Sequence, residues 1–262
     1  MKILILILLL FLFPVFVFPA FLQLSPSARL ASVSDISALE QSPSSIFYNP
    51  AVFNKKISLS SSYFMPFSIS DLSYKNLVAG YRWRKFSFAF GFQEFGNEIF
   101  KEQTGILTTN INIIQNFTLG LSYRLLLKNV YTMQDKNASQ FDVGMMANVG
   151  KLQFFSSFLN IGFSKIGNDN LPQESRTGIS YQIYENLKTG ICFVKELDYP
   201  FSFHFGTVYY PYKTFGILSG FQTEPERFSF GVEFKVFNLQ INYGIKTHQC
   251  LELTHYFTIC YQ

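Results

Sequence analysis

The stretch RFSFGVEFKVF, residues 227–237, sets an apolar side chain at almost every second position. Phe228, Phe230, Val232, Phe234 and Val236 share one parity, and Arg227, Ser229, Gly231, Glu233 and Lys235 share the other. In an extended chain these two sets point to opposite faces. The same alternation runs from Lys56 to the carboxyl end. It predicts fourteen strands, over 56–66, 74–83, 85–95, 104–114, 117–128, 139–149, 152–163, 175–184, 187–196, 201–210, 215–222, 227–236, 238–247 and 251–261. Each is near the length a tilted strand needs to cross a bilayer, about 9–11 residues. Two of them fit poorly. FGILSGFQ alternates weakly, and TGILTTNINII switches parity near its middle. His255 falls on the apolar parity of the last strand, so either a bulge shifts it or it stays neutral near an interface.

Connector lengths carry independent information. After every second predicted strand the link is tight: Arg84-Lys85, Gln115-Asn116, Gly150-Lys151, Glu185-Asn186 and Phe237-Asn238, with Pro211–Thr214 a little longer. The other links are longer and more polar, as in GNEIFKEQ, NVYTMQDKNA and SKIGNDNLPQE, and shrink toward the end to DYP and TEPE. Short turns at one rim and longer loops at the other is the arrangement of a membrane barrel.

The two faces differ in kind. The polar parity holds small or uncharged residues, such as Ser87, Ala89 and Gly91, or Asn238, Gln240, Asn242 and Gly244. A few charges of both signs join them: Arg82, Arg124, Asp142, Arg176, Glu233, Lys235 and Glu252. A solvated sheet surface carries more Lys and Glu, so a crowded lumen with internal ion pairs fits better. The apolar parity is bulky, with Phe86, Phe88, Phe90 and Phe92 on one strand. A secreted sandwich also buries such rows, but its strands average about 5–6 residues. In lipid, no water satisfies an open sheet edge, so the sheet must close. The expected fold class is all-β, a transmembrane antiparallel barrel of about fourteen strands with the apolar parity toward the lipid bilayer. Tyr63, Tyr209, Tyr210 and Tyr261 stand at strand ends, where an aromatic girdle belongs.

Before the barrel, residues 1–20 open with Lys2 and continue as an apolar run from Ile3 to Ala20, the form of an export signal. Ala20 is one candidate last residue of this leader and Ala28 a second. The rival reading is an uncleaved membrane helix, against which stand two prolines in the run and no basic stop after it. Residues 21–55 have no sustained period and are rich in Ser, Ala and Pro. The domain reading is therefore leader 1–20, amino-terminal segment 21–55 and barrel 56–262.

Composition narrows the function classes. Charged residues are 15% of the chain, against about 25% in an average soluble domain. Phe counts 32 and Tyr 15, which favours strands over helices. A net charge of +4 without a clustered basic run excludes nucleic acid as an expected partner. Cys192, Cys250 and Cys260 form no disulfide framework; the last two, on one predicted strand, would lie about 33 Å apart. His204, His248 and His255 have no metal-ligand spacing, and no phosphate loop or nucleophile motif stands out. No cofactor, metal or enzymatic activity is expected.

Two segments resemble a known family. ARLASVSDISALEQSPSSIFYNPAVF, residues 28–53, resembles the amino-terminal signature of the PorV/PorQ-like outer-membrane proteins, distant relatives of FadL-type hydrophobe transporters. Asn49, Pro50 and Ala51 stand in the signature's Asn-Pro-Ala motif, and Val52 replaces the usual glycine after it. The end, HQCLELTHYFTICYQ, resembles the family's last strand, and Asp142, Gly144, Asn160, Gly162, Pro172, Arg176 and Gly178 match its mid-barrel pattern. The resemblance implies a fourteen-stranded outer-membrane barrel whose amino-terminal segment packs inside as a plug. A lumen of that width is not filled by strand side chains alone, which gives residues 21–55 a place. Asn49-Pro50 then forms a turn within the plug, or the turn that starts the first strand; the two are compatible.

Two roles follow from the resemblance. PorV-like proteins act as docking partners in a type IX secretion apparatus, so the first expectation is a secretion-associated scaffold barrel with protein partners at its rim. The alternative is FadL-like: transport of small hydrophobic molecules, fatty acids or aromatics, across the outer membrane.

Overall fold

Hydrocarbon leaves a strand edge no hydrogen-bond partner, and the barrel wall of this chain closes without one. The structure, a computed structural model, describes residues 21, 23–40, 42–131, 134–167 and 169–262. The expected leader, 1–20, lies outside the described residues. Fourteen long strands make one closed antiparallel barrel. They are β1 (Ile57–Met65), β2 (Tyr74–Trp83), β3 (Phe86–Gly96), β4 (Phe100–Ile114), β5 (Phe117–Val130), β6 (Lys136–Val149) and β7 (Leu152–Leu159) in the first half. A short hairpin of β8 (Lys165–Ile166) and β9 (Asp169–Asn170) lies in the loop that follows. The wall continues with β10 (Glu174–Tyr184), β11 (Leu187–Glu196), β12 (Ser202–Tyr212), β13 (Phe215–Thr223), β14 (Glu226–Val236), β15 (Leu239–Lys246) and β16 (Thr254–Tyr261). Each barrel strand pairs with its neighbours in the chain, and β1 closes on β16 in the register Leu59↔Tyr261 to Met65↔His255.

The two rims differ as the connectors imply. Two-residue turns follow β2, β4, β6, β10, β12 and β14, all at one rim. At three of them Arg84, Gly150 and Phe237 adopt positive φ, which suits the twist of a tight hairpin. The longer loops sit at the opposite rim, the longest running from β7 to β10.

Parity decides which side of the wall each residue meets. On β14, Phe228, Phe230 and Phe234 stand outward and exposed, while Ser229, Gly231 and Glu233 face in and are buried. Other strands around the wall carry outward rows of the same kind: Phe88, Phe90 and Phe92 on β3, Leu119, Leu121 and Leu125 on β5, Phe257 and Ile259 on β16. A water-soluble monomer rarely exposes an apolar patch beyond a few hundred Å², and here the patch continues around the wall. That outer surface is built for hydrocarbon.

Several expected boundaries and orientations shift. The seventh strand stops at Leu159, not 163, because Asn160 takes φ 57°. Its side chain then organises the loop, donating to Leu171 O at 3.1 Å and accepting from Ser164 N at 2.9 Å. The last strand begins at Thr254, so Cys250 and Glu252 belong to the exposed loop before it and not to the wall. β4 shows no parity switch near its middle; its register shifts only at the end, between Asn112 and Ile114. Ile106 stays on the inward parity with Thr104 and Thr108 because it packs on Phe47 and Phe53 inside the lumen. β13 alternates weakly in sequence for the same reason: inward Leu218 joins Val33, Ile36 and Leu39. His255 keeps its outward parity without a bulge, and its Nδ1 meets Tyr243 Oη at 2.8 Å. Tyr63, Tyr209 and Tyr261 stand outward, but Tyr210 turns inward and is not a girdle residue.

Phe90 sits near the middle of β3 with half its surface open. Phe90→Arg is expected to lower barrel stability in lipid vesicles by about 2–4 kcal/mol, measured by reversible urea unfolding. An unchanged midpoint would show that this face does not meet hydrocarbon.

Candidate functional site: the filled lumen and its outer cavity

Residues 25–40 and 42–51 fold inside the barrel, and nearly all of them are buried. Helix α1 (Ala28–Ser32) begins at Ser27, whose Oγ accepts from Leu30 N at 3.1 Å. The helix lies against β13–β16. A single 3₁₀ turn, Ser37–Leu39, meets β10–β12. A second, Pro43–Phe47, starts with proline at its first position and meets β1–β3. Asn49-Pro50-Ala51 then comes to rest against β4–β7.

That last contact sets side-chain amides and a hydroxyl against main-chain groups. Asn49 Oδ1 accepts from Ala51 N at 2.9 Å, closing a local turn. Its Nδ2 donates to Ser156 O at 3.2 Å and Met145 O at 3.4 Å on the wall. Asn110 Nδ2 reaches in to Pro50 O at 3.0 Å and Phe53 O at 2.8 Å. Ser157 Oγ donates to Tyr48 O at 2.6 Å. The wall can come this close because it carries glycine there. A Cβ on Gly144 would stand 2.2 Å from Asn49 Oδ1, and one on Gly120 would stand 2.4 Å from the Pro50 carbonyl carbon. The small residues on the inward parity thus have a physical use, as seats for the segment's backbone.

The predicted lumen charges grip the segment more than they grip one another. Arg124 Nε pairs with Asp142 Oδ2 at 2.6 Å, and its Nη2 donates to Phe47 O at 2.6 Å. Asp142 Oδ1 accepts from Asn160 N at 2.9 Å, linking this pair to the β7–β10 loop. Arg176 pairs with Glu174, donates to Asp35 O at 2.9 Å and lies 3.8 Å over the Tyr48 ring. Glu233, fully buried, pairs with Arg29 of α1 and accepts from Tyr210 Oη at 2.6 Å. Lys235 approaches Glu233 at 3.1 Å from the tight-turn rim. Arg82 stands apart from this network: its Nε donates to Arg84 O at 3.1 Å near the same rim.

The segment's own contribution, Arg29 and Asp35, carries no periodic signal in the sequence; Lys246, on the polar parity of β15, meets Asp35 Oδ2 at 2.6 Å and Ser25 Oγ at 3.0 Å. The legible signal was three charges, Arg29, Asp35 and Glu40, in a stretch otherwise made of small, uncharged and apolar residues. Burial raises the Asp35 carboxyl pKa, but Lys246 and then Arg176 outweigh it and hold it below the usual range.

Toward the long-loop rim the lumen opens into a cavity of about 410 Å³. Phe64, Phe95, Phe100, Leu126 and Tyr256 give it an apolar body. Glu102, Arg124, Lys128, Arg227 and His248 add polar points. Burial, then Arg227 and Lys246, push the His248 imidazole down to about 4, so it is neutral at pH 7. A volume of this size with an apolar body lies in the range of small-molecule pockets, and this one carries many polar points beside that body.

The barrel is similar to the CymD monoaromatic hydrocarbon channel, with TM-score 0.70 at 10% identity over 92% of this chain and 98% of that one. It is similar to the Pseudomonas putida toluene transporter TodX, with TM-score 0.65 at 10% identity over 95% and 98%. It is also similar to a Pseudomonas aeruginosa FadL homologue, with TM-score 0.63 at 9% identity over 89% and 97%. No family model matches the sequence, and no curated protein matches it. The chain has the fold of the hydrocarbon channels. At these identities the likeness is one of fold, and the PorV-type docking role draws no support from these neighbours.

Two outcomes follow from the seating of the segment. Gly144→Val is expected to unseat Asn49–Ala51 while the wall still closes: hydrogen exchange across residues 28–53 rises, and the unboiled protein keeps its altered gel mobility. Gly105→Ala, where an added Cβ meets nothing within 4 Å, is the control and leaves exchange unchanged. The second concerns acid. Because the folded Asp35 pKa lies below the ordinary value of 3.8, its stabilising contribution is complete above that value and is lost as pH falls through the folded pKa. Exchange across 28–53 is therefore expected to rise in acid in the native chain, and Asp35→Asn to remove that part of the rise.

Proposed function

We propose that this chain is a non-enzymatic outer-membrane barrel that passes small hydrophobic molecules. The observation that carries this reading is the cavity, apolar in its body and polar at points, at the long-loop end of a barrel whose lumen is otherwise filled. Its fold is shared with the monoaromatic hydrocarbon channel CymD and the toluene transporter TodX, which supports the same reading. An aromatic or aliphatic molecule leaves water for the cavity, gaining about 25 cal/mol per Å² of apolar surface buried. Phe64, Phe95 and Leu126 make the contact. Below them the segment blocks the way, so passage requires it to shift.

The fastening around Asn49–Ala51 is where that shift is proposed to start. It consists of hydrogen bonds to wall backbone, to Asn110 and to Ser157, with glycine in place of interlocking side chains. Each such bond is worth about 1 kcal/mol net, so the set is separable one piece at a time. An export leader at residues 1–20 belongs to the same reading, since the barrel has to reach the outer membrane.

The test is uptake. Cells lacking the protein are expected to take up toluene or a long-chain fatty acid more slowly, with recovery on returning the native gene and not on returning Leu126→Glu, which sets a carboxylate in the cavity wall. Altered gel mobility of the unboiled variant shows that its barrel has closed. Equal uptake with and without the protein would remove the transport reading.

A further inference from the structure

Glu102 lies on the inward parity of β4 at the long-loop end and is 8% exposed. Both its carboxylate oxygens face one donor, the main-chain nitrogen of Phe21, at 3.2 and 3.1 Å. Among the described residues no lysine or arginine nitrogen lies within ion-pair distance of it. Lys128, its partner across the β4–β5 pair, has turned to Asp169 at 3.6 Å. A buried carboxylate is costly to hold without a cation, and an amide offers one proton to two oxygens. An ammonium at the same place would offer three protons and a charge.

The residue before Phe21 is Ala20, the small residue that ends the apolar run from Ile3. We propose that the mature chain begins at Phe21, and that its α-ammonium is a structural cation paired with Glu102 inside the barrel. A leader-removing endopeptidase adds water across the Ala20–Phe21 peptide bond. The C–N bond breaks, Ala20 keeps the carboxylate, and the Phe21 nitrogen takes up protons as the ammonium. The Phe21 ring packs against the buried cluster of Leu126, Ala138, Ile166 and Leu171, so charge and ring fix the first residue together.

The packing also excludes the second candidate end of the leader, Ala28. Ser25 Oγ accepts from Lys246, and Pro26 O accepts from Asn76 Nδ2 at 2.5 Å. Ser27 Oγ caps α1 and donates to Glu40 at 2.5 Å. The Ala28 nitrogen donates to Thr258 Oγ1 at 2.8 Å. A cut after Ala28 would strip residues 25–28 from the lumen and leave Lys246 and Asn76 without these partners.

This inference is independent of transport, because its test reads the chain end alone. Protein purified from membranes is analysed by intact mass and amino-terminal sequencing, and Phe21 is the expected first residue; any other start overturns the proposal. The α-amine is then labelled in the folded barrel with 2-pyridinecarboxaldehyde at neutral pH. Glu102→Gln is expected to be labelled faster than the native chain by about tenfold, the equivalent of one pKa unit. Equal rates overturn the ion pair. A second measurement needs no variant. The ¹³C-dimethylated α-amine of the folded native chain is titrated by NMR. Arg124, Lys128 and Arg227 line the same cavity and depress its midpoint, as does His248 when charged, while Glu102 raises it. A midpoint above about 8, the ordinary α-amine value, supports the pair, and one at or below that value overturns it.

Discussion

Hydrocarbon offers nothing to a peptide group. A strand that crosses it must find both neighbours within the protein, and the only sheet in which every strand does so is a closed one. From that constraint comes the pairing of β1 with β16, and from closure at fourteen strands comes an interior too wide for the wall's own side chains to fill. The space is taken by the chain that precedes the wall. α1, the two 3₁₀ turns and Asn49-Pro50-Ala51 together reach both halves of the barrel.

The way this segment is held differs from an ordinary core. Apolar packing contributes, in clusters such as Ile46, Phe47, Phe53, Val78 and Ile106. Yet much of the interface is polar: Arg29 with Glu233, Asp35 with Lys246, Arg176 under Tyr48, Arg124 on the Phe47 carbonyl. Buried ion pairs return little net stability over apolar packing, because desolvation offsets their attraction, but a misplaced partner is heavily penalised. They therefore favour one position of the segment over others, and the proposed passage of a hydrophobic molecule has to part some of them.

Much of this was legible along the chain. Alternation located all fourteen wall strands within a few residues, because lipid outside and a crowded interior make the two parities chemically distinct. The tight turns Arg84-Lys85, Gln115-Asn116 and Gly150-Lys151 assigned the rims. Errors fell where the inner segment touches the wall. Ile106 and Leu218 break the polar pattern because they face apolar residues of the segment, not water. Tyr210 stands at a strand end like a girdle residue, but it follows outward Tyr209 and shares the inward parity of Ser202, His204 and Val208, where it meets Arg29. The end of β7 was overshot because only the left-handed turn at Asn160 stops it.

The sequence by itself determined the sidedness of the wall, its strand count and the order of its turns, since these depend on local period and on solvent. Only the tertiary structure decided which inward charge meets which. Arg29 and Glu233 are separated by most of the chain, and no local rule relates them. It also decided why glycine stands at 120 and 144, which depends on the backbone of Pro50 and Asn49 arriving from elsewhere. A strand's period reports the medium on either side of it. Which partner waits inside depends on how a closed barrel folds its own beginning into its lumen.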